Sequence, residues 1–179
     1  MTTKIKKAIS FLLIPIMLVF NACAIFPTEE GYAQRQNKLL KQAINDADAN
    51  AIADLFADCI SVNDASATPQ DLIDLFPDGV RAVYIMQDAL STYESINDGV
   101  YVKNMQWETK LKCKATGITY GFLFLSCKTD TENPENVGIH SLLIFKESDD
   151  DAFTDWWRSF GSSENPTGIY LYNISVSEN

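Results

Sequence analysis

Hydrophobic and polar positions divide this chain into an export-type leader, a helical block and a block of strands. From Gln34 the spacing is helical: Leu39, Leu40, Ala43, Ile44 and Ala47 form one apolar stripe, with Arg35, Lys38, Lys41 and Gln42 off it. Asn45-Asp46-Ala47-Asp48 interrupts that pattern, and Asp48 is placed to cap a second segment with Ala51, Ile52, Leu55 and Phe56 turned inward, ending near Cys59. Thr68-Pro69-Gln70-Asp71 predicts a third helix start, with threonine as cap, proline in the first turn and an acid near the positive end of the helix. It buries Leu72, Ile73, Leu75 and Phe76 and stops at Pro77-Asp78-Gly79.

From Val80 the period becomes two. Asn97-Asp98-Gly99 predicts a tight hairpin turn, because Asp-Gly supplies positive φ angles at low cost. Along Tyr101–Lys114, Tyr101, Met105, Trp107, Thr109, Leu111 and Cys113 face one way, and Asn104, Gln106, Glu108, Lys110 and Lys112 the other, as in a half-buried antiparallel strand. A two-residue turn at Thr116-Gly117 would set Cys113 opposite Tyr120 and bring Tyr120, Phe122 and Phe124 onto the Trp107 face, under the 39–56 helices. Gly121, Leu123 and Leu125 would then form a second apolar face needing its own cover, a contact site for a partner or a second copy. After the polar loop Asp130–Asn136 comes another strand, Val137–Lys146, with Ile139, Leu143 and Phe145 on one side and His140, Leu142 and Ile144 on the other. Asp149-Asp150-Asp151 starts a short helix carrying Phe153, Trp156, Trp157 and Phe160, and Gly168–Tyr172 is a last apolar segment before a polar tail, 173–179. Trp156 and Trp157 are adjacent, so in a helix they point about 100° apart and only one can face a core. Helices first and a long-stranded antiparallel sheet after them is the α+β class, in one domain over residues 34–172.

Composition changes the picture mainly at the leader. Lys4, Lys6 and Lys7 precede an apolar run, Ile9–Phe20, that is too short to cross a bilayer needing about 20 residues. Phe20-Asn21-Ala22-Cys23, a small residue before a cysteine at the end of that run, resembles a lipobox, although leucine is usual where Phe20 stands. That resemblance implies a signal peptide over 1–22, acyl chains on Cys23, a short polar tether over 23–33, and a domain held at the extracytoplasmic face of the cell membrane. An ordinary secretory signal with a chance cysteine is the other reading. Lys+Arg 14 against Asp+Glu 24 gives −10, and without the leader the balance is 11 bases to 24 acids, which argues against nucleic-acid binding.

Cys59, Cys113 and Cys127 cannot all pair with one another, and the two-residue turn separates Cys113 from Cys127 by about 23 Å at about 3.3 Å per residue. All three read as small buried hydrophobes. With His140 the only histidine and no Cys-x-x-Cys spacing, neither a metal site nor a cofactor is expected.

The stretch Ala43–Phe56 resembles the first helical hairpin of the nuclear-transport-factor-2-like superfamily, in which a curved antiparallel sheet wraps helices into a cone, an arrangement also described as cystatin-like. Val80–Ser95, Trp107 and above all Asn133-Pro134-Glu135-Asn136-Val137-Gly138-Ile139 resemble a lipoprotein family of Gram-positive bacteria catalogued as domain of unknown function 5104. The resemblance covers about residues 34–172 and implies a fold and a location, with no catalytic residue. Superfamily members that are enzymes place a carboxylate or histidine base in an apolar pocket, near tyrosine or acid donors. The parts here would be His140, Tyr84, Tyr93, Tyr120 and Asp88; the candidate pocket or contact residues are Trp107, Tyr120, Phe122, His140, Trp156 and Trp157. The reading favoured is a non-enzymatic binding or interaction module. It would contact an envelope protein or a small apolar ligand, or form a homodimer, through the cone pocket or the outer sheet face. The alternative is a small isomerase- or cyclase-like enzyme working in the cone. Filling of that interior by Phe122, Phe124 and Trp107 would count against the enzyme.

Overall fold

The computed structural model describes residues 28–62, 65–85, 90–149 and 167–174. Three helices, α1 (Glu29–Asn45), α2 (Ala49–Ala53) and α3 (Pro69–Leu75), precede six strands: β1 (Val80–Ile85), β2 (Ser91–Asn97), β3 (Val100–Cys113), β4 (Thr119–Asp130), β5 (Gly138–Lys146) and β6 (Gly168–Leu171). They make a mixed α+β fold with one open sheet. β3, β4, β5 and β6 are consecutive neighbours, while β1 and β2 share the outer edge of β3, β1 along Thr109–Cys113 and β2 along Val100–Gln106. All pairs are antiparallel except β5–β6.

Local chemistry sets the helix ends. The Thr68 hydroxyl accepts from Asp71 N at 3.2 Å and the Asp71 carboxylate accepts from Thr68 N at 2.7 Å, a complete capping box on α3. Asp48 caps α2 as expected, accepting from Ala51 N at 3.0 Å. α1 starts at Glu29 with Thr28 as its cap, so residues 29–33, expected as tether, are its first turns. Its buried line is Ala33, Asn37, Leu40, Ala43 and Ile44; Leu39, expected inward, is exposed. Two alanines and a polar group on that line make it too weakly apolar to read from spacing.

The Asp98-Gly99 turn forms as predicted, with φ of 48° and 85°, and leaves Asn97 opposite Val100. The β3–β4 turn differs from expectation. Four residues, Lys114–Gly117, make it, and Cys113 N donates to Ile118 O, so Leu111 rather than Cys113 faces Tyr120. A slip of two leaves the faces unchanged, and Trp107, Leu111, Tyr120, Phe122 and Phe124 share one core with Leu40, Ile44, Ile52 and Phe76.

A bulge corrects the reading of β5. Leu125 pairs with Ser141 but Ser126 pairs with Ile139, so His140 is the extra residue and Ile139 joins Leu142 and Ile144 under the helices. Leu143 and Phe145 lie on the other face with Leu123, and all three are buried within a single copy of the chain. The expected open contact face around Leu123 is therefore covered, with Leu125 half-buried at its margin. Gln106 and Glu108, expected to face solvent, are buried there opposite Leu125 and Leu123.

Cys59, Cys113 and Cys127 are free thiols, and Cys59, at the end of the loop after α2, is exposed rather than buried. Of these three, only Cys59 is expected to label with a maleimide under native conditions, with Cys113 and Cys127 reacting after unfolding; mass spectrometry of the labelled peptides reads the difference, and native labelling of Cys113 would contradict the packing.

Candidate functional site

The centre of the helix-covered face is built around Trp107. β3 places its indole flat on Phe124 of β4, with centroids 4.7 Å apart and planes 7° from parallel, and α1 brings Tyr32 edge-on at 6.0 Å. Phe76 and Phe122 stack at 5.8 Å, and Tyr120 meets Phe76 edge-on at 5.1 Å. Trp107, Phe122, Phe124 and Phe76 are essentially without solvent contact. These rings pack against one another between the helices and the sheet.

Polar groups thread through this packing. The Trp107 indole can only donate, and it donates to Asn37 Oδ1 at 2.9 Å. That fixes the amide orientation and turns Asn37 Nδ2 the other way, where it is buried without a protein partner. One residue earlier on α1, Gln36 Oε1 is a buried acceptor in the same state. Beside them Ser126 Oγ donates to Gly138 O at 2.7 Å, so the Tyr32 hydroxyl, 2.8 Å away, donates to Ser126. Burial pushes the Tyr32 and Tyr120 phenols above their ordinary range, so both stay protonated and neutral. Among the described residues, the buried polar side chains on this face are Asn37, Thr109 and Ser126, none of them an acid or a base.

Of the remaining candidates, His140 and Tyr93 stand apart from this centre. His140, raised by the bulge, is half-buried, and its Nε2 lies 2.7 Å from Asn136 O; a carbonyl can only accept, so Nε2 carries the proton. Tyr93 is exposed on β2. Tyr84 pairs through its backbone with Lys110. Cys23, Asp88, Trp156 and Trp157 lie outside the described residues. Sequence reasoning missed Asn37, Tyr32, Gln36 and Ser126. The available signal was Asn37 itself, a polar residue on the helical line of Ala33, Leu40 and Ile44.

The run from Asn133 to Ile139 has a structural explanation. Asp130 accepts from Glu132 N, Asn133 N and Asn136 Nδ2 at 2.9–3.1 Å, Glu135 O accepts from Cys59 N at 3.2 Å, and Asn136 O holds His140. Gly138 has φ of +144°, and a Cβ there would sit 2.5 Å from Ala57 N. This close approach lets Ile139 exchange backbone hydrogen bonds with Leu55 and Ala57, joining the end of α2 to the sheet.

The second polar feature is at the far end of β3. Lys103 is held by both Glu29 of α1 and Glu94 of β2, the latter at 2.6 Å. The hydrogen bond from Lys103 draws the Glu29 carboxyl down to about 2, and Glu29 together with Glu94 raises the Lys103 ammonium well above its ordinary range. Beyond this cluster β2 is exposed along nearly its whole length on both faces, and among the described residues no strand pairs with its outer edge.

A family described as Domain of unknown function (DUF5104) matches residues 39–147. The chain belongs to that family. No curated protein matches it. The DUF5104 match runs from the middle of α1 to just past β5, and takes in Trp107, Tyr120, Phe122, His140 and the Asn133–Ile139 joint. Tyr32, Gln36 and Asn37 precede it.

Two outcomes follow from this geometry. Asn37→Ala should cost about 1–3 kcal/mol in urea denaturation, because the Trp107 N–H is left buried without an acceptor. Adding Trp107→Phe removes the orphaned donor, so the double variant should lose less than the sum of the single losses; strict additivity would show that the bond carries no coupling. The α1 tether at Glu29 has a defined pH window. A carboxyl whose folded pKa is lowered stabilises above its unfolded value near 4.5, and that contribution is lost as pH falls toward about 2. Glu29→Gln should therefore flatten the acid limb of the stability profile across that window and leave the neutral-pH slope unchanged.

Proposed function

We propose that this protein is a binding or interaction module, tethered at the extracytoplasmic face of a membrane by acyl chains on Cys23, and that it catalyses no reaction. In this reading the helices and bent sheet form the cone-shaped, nuclear-transport-factor-2-like arrangement, and recognition happens on its surface. The observation that carries the reading is the Trp107 ring, closed in by Phe124 and Tyr32 with its N–H committed to Asn37. Isomerase- or cyclase-type chemistry in such an interior needs a carboxylate or imidazole poised beside an apolar pocket. The aromatic filling, the neutral tyrosines and the structural bond of His140 all favour a binding role over that alternative.

The surface that suits recognition is β2. Among the described residues its outer edge is unpaired, with neither proline nor lysine to blunt it, and its one charged side chain, Glu94, is engaged by Lys103. Tyr93 and Ile96, 59% and 76% exposed, project from it on opposite faces.

Cys23→Ser should move the protein from the membrane fraction into the medium or leave it as uncut precursor, while the domain keeps its circular dichroism spectrum. Membrane association unchanged in that variant would remove the anchor from this proposal.

A further inference from the structure

The start of α1 and the tip of the β2–β3 hairpin lie at the same end of the molecule. Glu29 is held by Lys103, and the helix then runs away from the hairpin along β3: Tyr32 and Asn37 reach Trp107, and Asn45 accepts from Lys114 at 2.8 Å and from Val80 N at 2.9 Å. The chain preceding Thr28 therefore leaves the domain at the hairpin end. Cys23 is five residues before Thr28, a reach of at most about 18 Å for a fully extended chain. β3 itself, with 14 residues at about 3.3 Å each, is more than twice that long, so an anchor at Cys23 cannot bring the Lys114 end to a bilayer unless the domain lies on its side.

Apolar and aromatic side chains flank the polar, exposed turn Asn97-Asp98-Gly99 at the hairpin end. Ile96 and its partner Tyr101 sit two residues beyond the Glu94–Lys103 pair, about 7 Å nearer the tip, and Tyr93 projects from the opposite face. Val100, Tyr101 and Val102 are only half-buried. Tyrosine suits a headgroup layer, where its ring leaves water while its hydroxyl stays wet. The charges at this end are Glu29, Glu30, Glu94, Asp98 and Asp130 against Lys103 and Lys128, an acidic excess that opposes deep insertion and contact with anionic lipid.

We infer that the β2–β3 hairpin is a second membrane contact, seated in the headgroup layer beside the lipidated Cys23, so that the domain is held in one orientation with the Lys114 end pointing outward. This rests on the anchor reading above and names the lipid surface as the partner of β2.

The test separates the two. Mass spectrometry of Cys23 in protein taken from its own membrane fraction reports the anchor by itself. For the hairpin, the mature chain from Cys23 with Cys59→Ser is coupled through Cys23 to a maleimide lipid in phosphatidylcholine vesicles, the buried Cys113 and Cys127 being out of reach. Amide hydrogen exchange is then compared with uncoupled protein. Exchange across Ser91–Asn97 should slow by about tenfold or more on coupling. The protection should fall when phosphatidylglycerol is added at low salt, and fall again in Ile96→Ser and Tyr93→Ser, each checked for folding by circular dichroism. Equal exchange in coupled and uncoupled protein overturns the inference. So does protection of β2 in free solution that grows with concentration alongside a dimer in light scattering, which assigns the edge to a second copy instead.

Discussion

A tryptophan at the centre of a helix–sheet core has to bury a large ring and still find an acceptor for a single N–H. Here Asn37 supplies that acceptor, and the rest of the architecture follows from its position. Because Asn37 lies mid-way along α1, the bond fixes both the height of the helix above β3 and its rotation, turning Ala33, Leu40 and Ile44 toward the sheet. The two ends are then held by polar side chains of opposite kinds. Glu29 meets Lys103 at one end, and Asn45 bridges the start of β1 and Lys114 at the other. The long helix is thus pinned to the long strand at three points, only the middle one dry. The cost is local: Asn37 Nδ2 and Gln36 Oε1 are left buried without protein partners.

The sheet beneath is asked to be apolar on two sides. β4 carries Tyr120, Phe122 and Phe124 toward the helices and Leu123 the other way, and β5 does the same with Leu142 and Ile144 against Leu143 and Phe145. Gly121 contributes by absence: the Phe145 ring occupies the space its side chain would fill, 2.2 Å from an ideal Cβ. The second face is not uniformly apolar. Moving from β5 across β4 to β3 it passes from leucine and phenylalanine to buried Gln106 and Glu108. Bulges at Ala82/Tyr84, Lys103/Asn104 and Leu125/Ser126 bend and twist these strands, and the last of them reassigns Ile139 to the helix side.

Features decided within a few residues of chain were legible in the sequence. The Thr68 cap, the Asp48 cap and the Asp98-Gly99 turn each depend on side chains three residues apart or fewer, and each formed where the pattern predicted it. The common face of Trp107, Leu111, Tyr120, Phe122 and Phe124 was legible because alternation survives a slip of two, although the four-residue turn that caused the slip was not. The His140 bulge was invisible, since an extra residue in a strand leaves no periodic trace until its partner strand is known. Leu39 and Asn37 exchanged roles for a similar reason. Spacing ranks leucine above asparagine on any helical stripe, and only the indole on β3 makes the asparagine the better inward residue. The anchor end and the tryptophan pair at 156–157 belong to stretches outside the described residues.

The most distinctive run of the chain, Asn133–Ile139, carries the family resemblance, and its geometry gives it a structural task. Its asparagine amide, backbone carbonyls and glycine are spent on closing a loop, orienting His140 and letting the backbone of β5 approach Ala57. These are the demands of a joint, and a joint of that kind tolerates few replacements whatever the domain does. The rings around Trp107 are spent in the same way, on filling space, and its N–H on Asn37. What the fold leaves uncommitted among the described residues is a strand edge and the apolar side chains that flank it. β2 ends in a turn at the same pole from which the chain runs back toward Cys23, so any contact it makes is made within a few residues' reach of the proposed anchor. Short reach makes the encounter intramolecular, and a weak contact held at high effective concentration can orient a domain that the same contact could never recruit from solution.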